Sequence, residues 1–533
     1  MQTRLNKRDF SVIILCCAVY VIHSLFFREW IVDDAGISFA YTRNLATGYG
    51  LVSQPGHVPV EGFSNPAWVF LLTPFFLLNL FDPIITPKII GTVLVCLSFL
   101  LLYSTLRKQG NLSGILSGPV LLLLAFNTSF VVWTSSGLEN PLYVFLIVSL
   151  FTLISIEDRQ AWQEILIGLC TGCIALTRPD GMLFIGLYPA WNLLSAFRWS
   201  SLKKIILYFL PGVLLTSGSY LIFRIIYFGD FLPNTFYAKY GTGTSRYFYL
   251  PYWKWTVESA IPDLLNSLTG NTGIIVLLVL FCATIWYMIR KLPGKTLWLM
   301  LVFLFWTISI YVILPLDWMG EYRFATPVYP FFYAYIAMLV QAIVSKYLAQ
   351  QAMRIEIIFV VAFALFSFLL FLPRSIAFRE NPTVSFSGVA SRYAFRYNNF
   401  ASELQLEDAS FLVPDLGGTL YYSDMTIYDL AGLADVTIAR TLYQQDKTEL
   451  YDYIFEQLQP TFIRTHGFFT YISQLQNAPQ LQEDYIIFCQ YFDNSILEDF
   501  GVKLNSGTYI RRDAITEVNQ AMLEEIQSAL TWC

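Results

Sequence analysis

The sequence is poor in charge and in histidine, and its cysteines follow no recognisable framework. Of its 533 residues only 13% are charged and three are histidine, while 56% are hydrophobic and 17% aromatic. A mean hydropathy of +0.54 excludes an ordinary soluble globular domain. No internal repeat, low-complexity tract or small-residue cleavage site after the first apolar run is present. Most of the chain is therefore expected to lie in lipid, with the first apolar run retained as a span.

The eight cysteines and three histidines predict no metal site. Six cysteines lie in apolar stretches, where a thiol behaves as a small hydrophobe, and only Cys489 and Cys533 are in polar sequence. The CTGC at 170–173 has the spacing of a redox or zinc pair, but no second pair accompanies it. No zinc site or disulfide scaffold is predicted. No role is assigned to the histidines, which share no ligand spacing: His23, His57 and His466.

Charge divides the chain into two parts. Residues 1–373 carry 23 Lys and Arg against 17 Asp and Glu, whereas residues 374–533 carry 10 against 21. The first part is predicted to be a transmembrane domain with a long first outer loop at 29–83. The second part has ordinary polarity and is long enough to fold alone in water.

Local patterns in the tail, residues 374–533, predict a small α/β domain. SFLVPD at 410–415 is typical of a strand that ends in an acidic turn. Gly417-Gly418 predicts a tight bend after that strand, and 513–530 has helical periodicity.

Runs of roughly 20 apolar residues mark the places where a helix can cross the hydrocarbon core. About eleven transmembrane helices are predicted, at 10–28, 84–106, 113–127, 140–156, 164–177, 181–197, 204–226, 272–289, 296–314, 328–344 and 355–372. The run 66–81 is short and broken by Pro74, so we interpret it as an interfacial helix. With a cytoplasmic N-terminus, 14 of the 23 basic residues before 374 fall inside, as the positive-inside rule requires, and the tail lies outside.

The other nine basic residues of this part lie at the outer face, against that rule. They are Arg28, Arg43, Lys88, Arg178, Arg224, Lys239, Arg246, Lys254 and Arg323. A charge at membrane depth costs about 2.5–3.5 kcal/mol, so such groups usually belong to a substrate path or an ion pair. Arg178 and Asp180 lie in the turn LTRPDG between two half-length apolar helices. A functional site and a structural ion pair fit this turn equally well.

The strongest local signal is the acidic pair Asp33 and Asp34, a few residues after the first span. Two adjacent carboxylates near the bilayer could act as a general base or bind a cation, and their repulsion raises the pKa of one of them. Arg43 is predicted to lie along the same helix as the acidic pair and could neutralise a phosphate. The alternative is a helix-capping Asp33 with Arg43 anchored to lipid headgroups.

Three further outer segments combine carboxylates, aromatic rings and cations, which are the groups that hold sugars and phosphates. The candidate side chains are Glu61 and Asn65 in EGFSNPAW, Asp230, Asn234 and Lys239 in FGDFLPNTFYAKYG, and Asp317, Glu321, Tyr322 and Arg323 in LDWMGEYRFATP. No segment is specific by itself. Their confinement to one side of the membrane is the informative feature.

The string DDAGISFAYTRNLATGYGLVSQPG…EGFSNPAW resembles the first extracytoplasmic loop of the C-type glycosyltransferases. The branch it resembles most includes mycobacterial terminal arabinofuranosyltransferases. Further matching strings follow in the same order: SSGLENPLY (135–143), ALTRPDGMLF (175–184), YFGDFLPNTFYAKYG (227–241), DWMGEYRFATPVYP (317–330) and PDLGGTLYYSD…YDLAGLADVTIAR (414–440). The resemblance spans almost the whole chain.

This resemblance implies a multi-span membrane glycosyltransferase with its active site on the extracytoplasmic face. It implies a polyprenyl-phosphate sugar as donor, a glycan or lipid as acceptor, contact with membrane lipids, and no nucleic acid. The implied location is the bacterial inner membrane, with a periplasmic tail that shapes the acceptor cleft. No cofactor is certain, since paired carboxylates also suit a divalent cation, and no metal ligands are assigned.

The resemblance also implies roles for residues. The acidic residue of the first loop is the catalytic base, which here is Asp33 with Asp34 beside it. Relatives with an EKP motif carry a phosphate-binding lysine where this chain has EGFSNP. In this chain that role falls to one or more of four cations: Arg43, Arg178, Lys239 and Arg323.

The chemistry expected of the residues agrees with these roles. Asp33 would deprotonate an acceptor hydroxyl, Asp34 would orient the acceptor or bind a cation, and two or more cations would hold the departing phosphate, with inversion at the anomeric carbon. The alternatives are a transporter or flippase of lipid-linked sugars and a non-catalytic membrane scaffold. Neither explains charges placed at costly depths on one face only, and no inverted repeat is visible.

Overall fold

The computed structural model describes residues 5–195, 199–241, 256–269, 294–314, 317–347 and 352–529, together with Cys282, Thr284 and Ile285. Helices dominate the first two thirds of the chain. Their bounds are Lys7–Phe26, Ala35–Ala46, Pro66–Leu77, Ile85–Lys108, Gly114–Phe126, Thr128–Thr134, Asn140–Ser155, Ala161–Thr177, Leu187–Ser195, Ser201–Phe228, Asn234–Gly241, Ile261–Thr269, Lys295–Ile313, Val328–Tyr347 and Ala352–Glu380.

Helical segments occupy ten of the eleven predicted spans, and 272–289 lies almost wholly outside the described residues. Four of the described helices are long and apolar enough to cross a membrane, or five if Gly114–Phe126 and Thr128–Thr134, bent by 68°, form one broken span. The chain is therefore a multi-pass membrane protein, while the full number of crossings stays a prediction. Pro66–Leu77 has only 12 residues, fewer than a crossing needs.

The tail contains a five-stranded sheet covered by short helices. The strands are β1 (Ser410–Val413), β2 (Thr426–Asp429), β3 (Phe462–Thr465), β4 (Tyr485–Phe492) and β5 (Asn505–Arg511). Their order is β2-β1-β3-β5-β4, with β1 parallel to both neighbours and β5 antiparallel to both of its own. All four residues of β1 and of β3 are buried, as expected for central strands covered on both faces.

The tail helices and turns fill the connections between these strands. Their bounds are Phe386–Val389, Ala390–Phe395, Arg396–Glu403, Gly417–Tyr422, Val436–Gln444, Lys447–Asp452, Tyr453–Leu458, Gly467–Ser473, Pro479–Asp484, Asn494–Phe500 and Gln520–Ala529. The predicted bend at Gly417-Gly418 is wrong, because both glycines open a helix. The predicted helix 513–530 forms only from Gln520, after a 3-10 turn at Arg512–Ala514.

The tail is bound directly to the first outer loop. Helix Ala352–Glu380 runs through the predicted boundary at residue 374 and leads into an extended segment. There Val32 pairs with Ser385 in an antiparallel bridge, and the Phe386 N–H donates to the Ile31 carbonyl over 2.9 Å. The acidic pair therefore follows a segment that is already hydrogen-bonded to the tail.

Candidate active site

Asp33 is held by the sheet domain. Its carboxylate accepts hydrogen bonds from the backbone N–H groups of Gly417, over 3.1 Å, and Gly418, over 2.7 Å. A Cβ at Gly417 would stand 1.8 Å from the Asp33 carbonyl oxygen, so this close approach requires glycine. Asp33 is only 5% exposed. Burial raises its pKa well above the ordinary value, and the charges of Asp415 and Asp34 add to the rise.

The neighbouring Asp34 lies in a different environment. Its side chain is half-buried, and it directly precedes helix Ala35–Ala46. Burial raises the pKa of Asp34, while the cations Lys239 and Arg323 act against that rise. Asp34 is thus a carboxylate with partial solvent access that faces two positive charges.

Lys239 combines exposure to water with partial desolvation. Its side chain is exposed to water, yet the surrounding protein lowers its pKa through desolvation, and the Asp34 carboxylate acts against this effect. An exposed group that is still partly desolvated is typical of a cleft and not of a convex surface. Lys239 lies on helix Asn234–Gly241, far in sequence from Asp34.

Asp34 and Lys239 interact electrostatically with each other and with three more charged groups, so that four separate segments contribute. We name these five groups the charge cluster, and they are Asp34, Glu139, Lys239, Asp317 and Arg323. The cluster holds three carboxylates and two cations. Such a mixture can bind a phosphate with its cations and accept a proton with a carboxylate.

Arg323 is fixed in the charge cluster by an ion pair and by aromatic rings. Its Nε lies 2.6 Å from Oδ2 of Asp317, and the side chain is largely buried. The guanidinium stands 4.9 Å from the ring centre of Phe324 and 5.7 Å from that of Trp133. Arg323 is therefore a rigid, preorganised cation.

The turn before Arg323 is strained. Gly320, Glu321 and Tyr322 all have positive φ angles, of 70°, 44° and 53°. Non-glycine residues in this region cost on the order of 1 kcal/mol or more each, and such strain concentrates at functional sites. The strained turn fixes the position of Arg323 relative to the other members of the charge cluster.

A buried network centres on Arg178. Its guanidinium binds Glu139 over 3.1 Å and Asp180 over 2.9 Å. The other Glu139 oxygen accepts from the Asn65 amide over 2.9 Å, and the Asn65 carbonyl oxygen accepts from the Ser38 hydroxyl over 3.1 Å. Ser38 lies on the helix that follows the acidic pair, so this network supports that helix from the side.

One aromatic ring joins the two arginines. The Arg178 guanidinium lies 4.8 Å from the centre of the Phe324 ring, and the Arg323 guanidinium lies 4.9 Å from it. Glu139 belongs both to the network around Arg178 and to the charge cluster. The predicted candidates Asn65, Arg178 and Asp180 therefore lie behind the cluster as its support.

Two more predicted candidates bind the first outer loop to other elements. Glu61 is paired with Arg224 and accepts a hydrogen bond from the Tyr220 hydroxyl over 2.7 Å. Arg43 donates to the Tyr421 carbonyl over 2.8 Å and covers the Tyr421 ring at 4.9 Å. Neither is among the groups that act on Asp34.

The predicted candidates Asn234 and Tyr322 form hydrogen bonds with other parts of the protein. The Asn234 amide donates to the carbonyls of Gly432 and Leu433 over 2.8 and 2.9 Å, which fixes helix Asn234–Gly241 against the tail. The Tyr322 hydroxyl accepts from the Asn266 amide over 2.9 Å. The basic residues Arg246 and Lys254 lie outside the described residues.

Several notable groups were missed by the sequence reasoning. Glu139 lies in SSGLENPLY, an outer turn that mixes polar and apolar residues like the chosen segments, and that signal was sufficient to select it. His466 binds Asp415 through Nε2 over 2.5 Å, although its sequence spacing gave no indication. Cys489 is disulfide-bonded, although no disulfide was predicted.

No three His, Cys, Asp or Glu side chains of the described residues converge on a point where they could hold a metal ion. Both Asp33 oxygens already accept backbone hydrogen bonds.

The chain is similar to one curated enzyme and to solved membrane enzymes. No protein-family model matches it. It is 28% identical over 234 residues to a terminal β-(1→2)-arabinofuranosyltransferase of Mycobacterium tuberculosis, a match that covers 40% of this chain and only 36% of that protein. ArnT from Cupriavidus metallidurans, solved with bound undecaprenyl phosphate, aligns with a TM-score of 0.54 at 11% identity over 96% of this chain and 98% of that chain.

An archaeal structure shows the same likeness. The oligosaccharyltransferase AglB from Archaeoglobus fulgidus, solved with an inhibitory peptide and a dolichol-phosphate, aligns with a TM-score of 0.54 at 12% identity, over 91% of this chain and 73% of that chain. The chain therefore has the fold of the C-type glycosyltransferase superfamily, which confirms the resemblance carried by its loop motifs.

Proposed function

We propose that this protein is a membrane glycosyltransferase that takes a sugar from a polyprenyl-phosphate donor and adds it to a glycan or lipid outside the cytoplasm. The observation that carries the proposal is the charge cluster, in which the half-buried Asp34 faces both Lys239 and Arg323. A flippase has no need of a proton acceptor at this place, whereas sugar transfer needs a base and a phosphate-binding cation together. The fold and the match to a mycobacterial glycosyltransferase support the same class.

In the proposed reaction, the acceptor hydroxyl oxygen attacks the anomeric carbon of the donor. The bond from that carbon to the phosphate oxygen breaks, and the phosphate leaves with the electron pair. The hydroxyl proton passes to a carboxylate of the protein, while Lys239 and Arg323 neutralise the charge that develops on the phosphate. Attack from the face opposite the phosphate inverts the anomeric centre.

The geometry favours Asp34 over Asp33 as the base, although the resemblance gave that role to Asp33. Both oxygens of Asp33 accept a hydrogen bond from a backbone N–H group, and these bonds stabilise the carboxylate and lower its basicity. Asp34 has partial solvent access, and burial raises its pKa, which makes its carboxylate a stronger proton acceptor. We assign Asp33 to positioning: it fixes the loop that carries Asp34 to the tail.

We further propose that the membrane is the bacterial inner membrane, that about eleven helices cross it, that the N-terminus is cytoplasmic, and that the tail is periplasmic. The distribution of basic residues supports this orientation. The disulfide at Cys489 gives independent support, because disulfides persist in oxidising compartments and are rare in the cytosol.

The deciding experiment is donor consumption by the purified full-length protein. Because the aligned mycobacterial relative is an arabinofuranosyltransferase, the first donor to try is a polyprenyl-phosphate arabinofuranose, followed by hexose donors. We expect Asp34→Asn to lose about a hundredfold or more of the rate, as expected when a general base is removed. The matched control is Asp408→Asn, which changes an exposed tail aspartate. Full activity of Asp34→Asn would remove Asp34 from the mechanism, and no consumption of any donor by the unmutated protein would refute the proposed function.

A further inference from the structure

A cavity of about 230 Å³ lies within the sheet domain. Its lining residues are Arg392, Tyr393, Arg396, Tyr397 and Arg464. Three of the five carry a guanidinium, so the cavity is strongly positive in a tail whose net charge is negative. The two tyrosines are almost fully buried, at 5% and 1% exposure, which makes the cavity a recess and not a surface patch.

The innermost arginine is held in place by hydroxyl groups. Arg464 is on strand β3 and is largely buried. It donates to the Thr508 hydroxyl over 2.8 Å and to the Tyr491 hydroxyl over 3.3 Å. The Tyr397 hydroxyl lies 3.0 Å from the same Thr508 hydroxyl. The Arg464 guanidinium therefore has a fixed orientation on a central strand of the sheet.

The cavity is coupled to the attachment point of the acidic pair. Tyr393 stacks in parallel on His466, with 6.3 Å between ring centres, and His466 binds Asp415. Asp415 acts electrostatically on Arg392 and on Asp33 alike. Asp415 and His466 therefore link the cavity residue Tyr393 to the surroundings of Asp33.

We propose that this cavity binds an acidic sugar unit of the acceptor through its carboxylate or phosphate group. The inference rests on the proposed function, because it assumes a saccharide acceptor. Guanidinium groups pair with oxyanions through parallel hydrogen bonds, and tyrosine rings and hydroxyls suit a sugar. Binding of lipid headgroups relies on basic side chains on the surface beside the bilayer, whereas here the recess has a buried floor formed by Arg464, Tyr393 and Tyr397.

The test is binding of small acidic sugars to the purified full-length protein in detergent, measured by titration calorimetry or saturation-transfer NMR. The probes are glucuronate and glucose 6-phosphate, with glucose as the neutral control. We expect both acids to bind and glucose to bind at least tenfold more weakly. The double variant Arg392→Gln/Arg396→Gln should weaken both acids about tenfold or more, the loss expected for hydrogen bonds to charged groups.

The matched control is Arg512→Gln, which removes an exposed arginine of the same domain that does not line the cavity. It should bind both acids like the unmutated protein. Equal binding of glucose and the acids, or full binding by the double variant, would overturn the proposal. If the double variant lost binding to phosphatidylglycerol vesicles but still bound both acids, the cavity would be a lipid headgroup site, and the proposal would be overturned. Unmutated protein that binds glucuronate but consumes no donor would refute the proposed function, and with it the acceptor role of the cavity, while the cavity would still be a binding site for acidic sugars.

Discussion

Replacement of Asp33 by asparagine tests whether this residue positions the loop or takes the proton. The carboxylate accepts from two backbone N–H groups, those of Gly417 and Gly418. An asparagine side chain has only one oxygen that can accept, so its NH2 group would face one of these donors. One buried N–H then loses its partner, at a cost of about 1–3 kcal/mol. Relief of repulsion with Asp34 and Asp415 acts in the opposite direction, so about 1–3 kcal/mol is an upper range.

The assay compares thermal unfolding and donor consumption in the same preparations. We expect Asp33→Asn to unfold at a temperature a few degrees lower and to retain measurable transfer. We expect Asp34→Asn to keep the unfolding temperature and to lose transfer. The reasoning would be refuted if Asp33→Asn unfolded at the unmutated temperature and yet consumed no donor, because Asp33 would then be the base.

Three further predictions concern the same region. Gly417→Ala should lower the unfolding temperature as Asp33→Asn does, with both carboxylates intact, because the new Cβ would clash with the Asp33 carbonyl. The control is Gly294→Ala, whose Cβ would meet nothing within 4 Å. Equal unfolding temperatures for the two variants would contradict the clash. Arg178→Met should destabilise the protein by about 3–5 kcal/mol by leaving buried carboxylates unpaired, and an unchanged unfolding temperature would argue against it. The value of kcat/KM should rise with pH through a pKa above about 3.9, since Asp34 must lose its proton and burial raises its pKa. It should fall at higher pH through a pKa below about 10.4, since Lys239 must keep its proton and desolvation lowers its pKa. A rise and a fall at the ordinary pKa values would exclude these two groups.

The sequence predicted the helices because apolar runs are local patterns, and local patterns also selected the candidate polar residues. Apolar runs set the spans, and charges at costly depth singled out Arg178, Lys239 and Arg323. Asp34 was selected beside Asp33 for the same reason. The pair Arg178 and Asp180 is formed in the structure.

The contacts that distinguish these residues could not be predicted, because they join segments hundreds of residues apart. Asp33 and Asp34 are adjacent and chemically identical, and their environments differ because the tail binds Asp33 while Lys239 and Arg323 act on Asp34. The sequence predicts a bend at Gly417-Gly418, because two adjacent glycines are typical of a turn. In the structure a helix begins at Gly417, and the close approach of Asp33, which requires a residue without a side chain, is not visible in the sequence. The pairing of His466 with Asp415 depends on two parallel strands that end side by side.

The hydrogen bond between Asp33 and Gly417 joins residues that are 384 positions apart. At a synthesis rate of roughly 5–20 residues per second, the ribosome finishes the second partner about 20–80 seconds after the first. During that interval Asp33 lacks its two backbone donors, while Asn65 and Glu61 can already hold other parts of the loop to Glu139 and Arg224. A chain that stops before Gly417 therefore contains every member of the charge cluster but not the groups that fix Asp33, so the acidic pair is set in place only after most of the chain has been made.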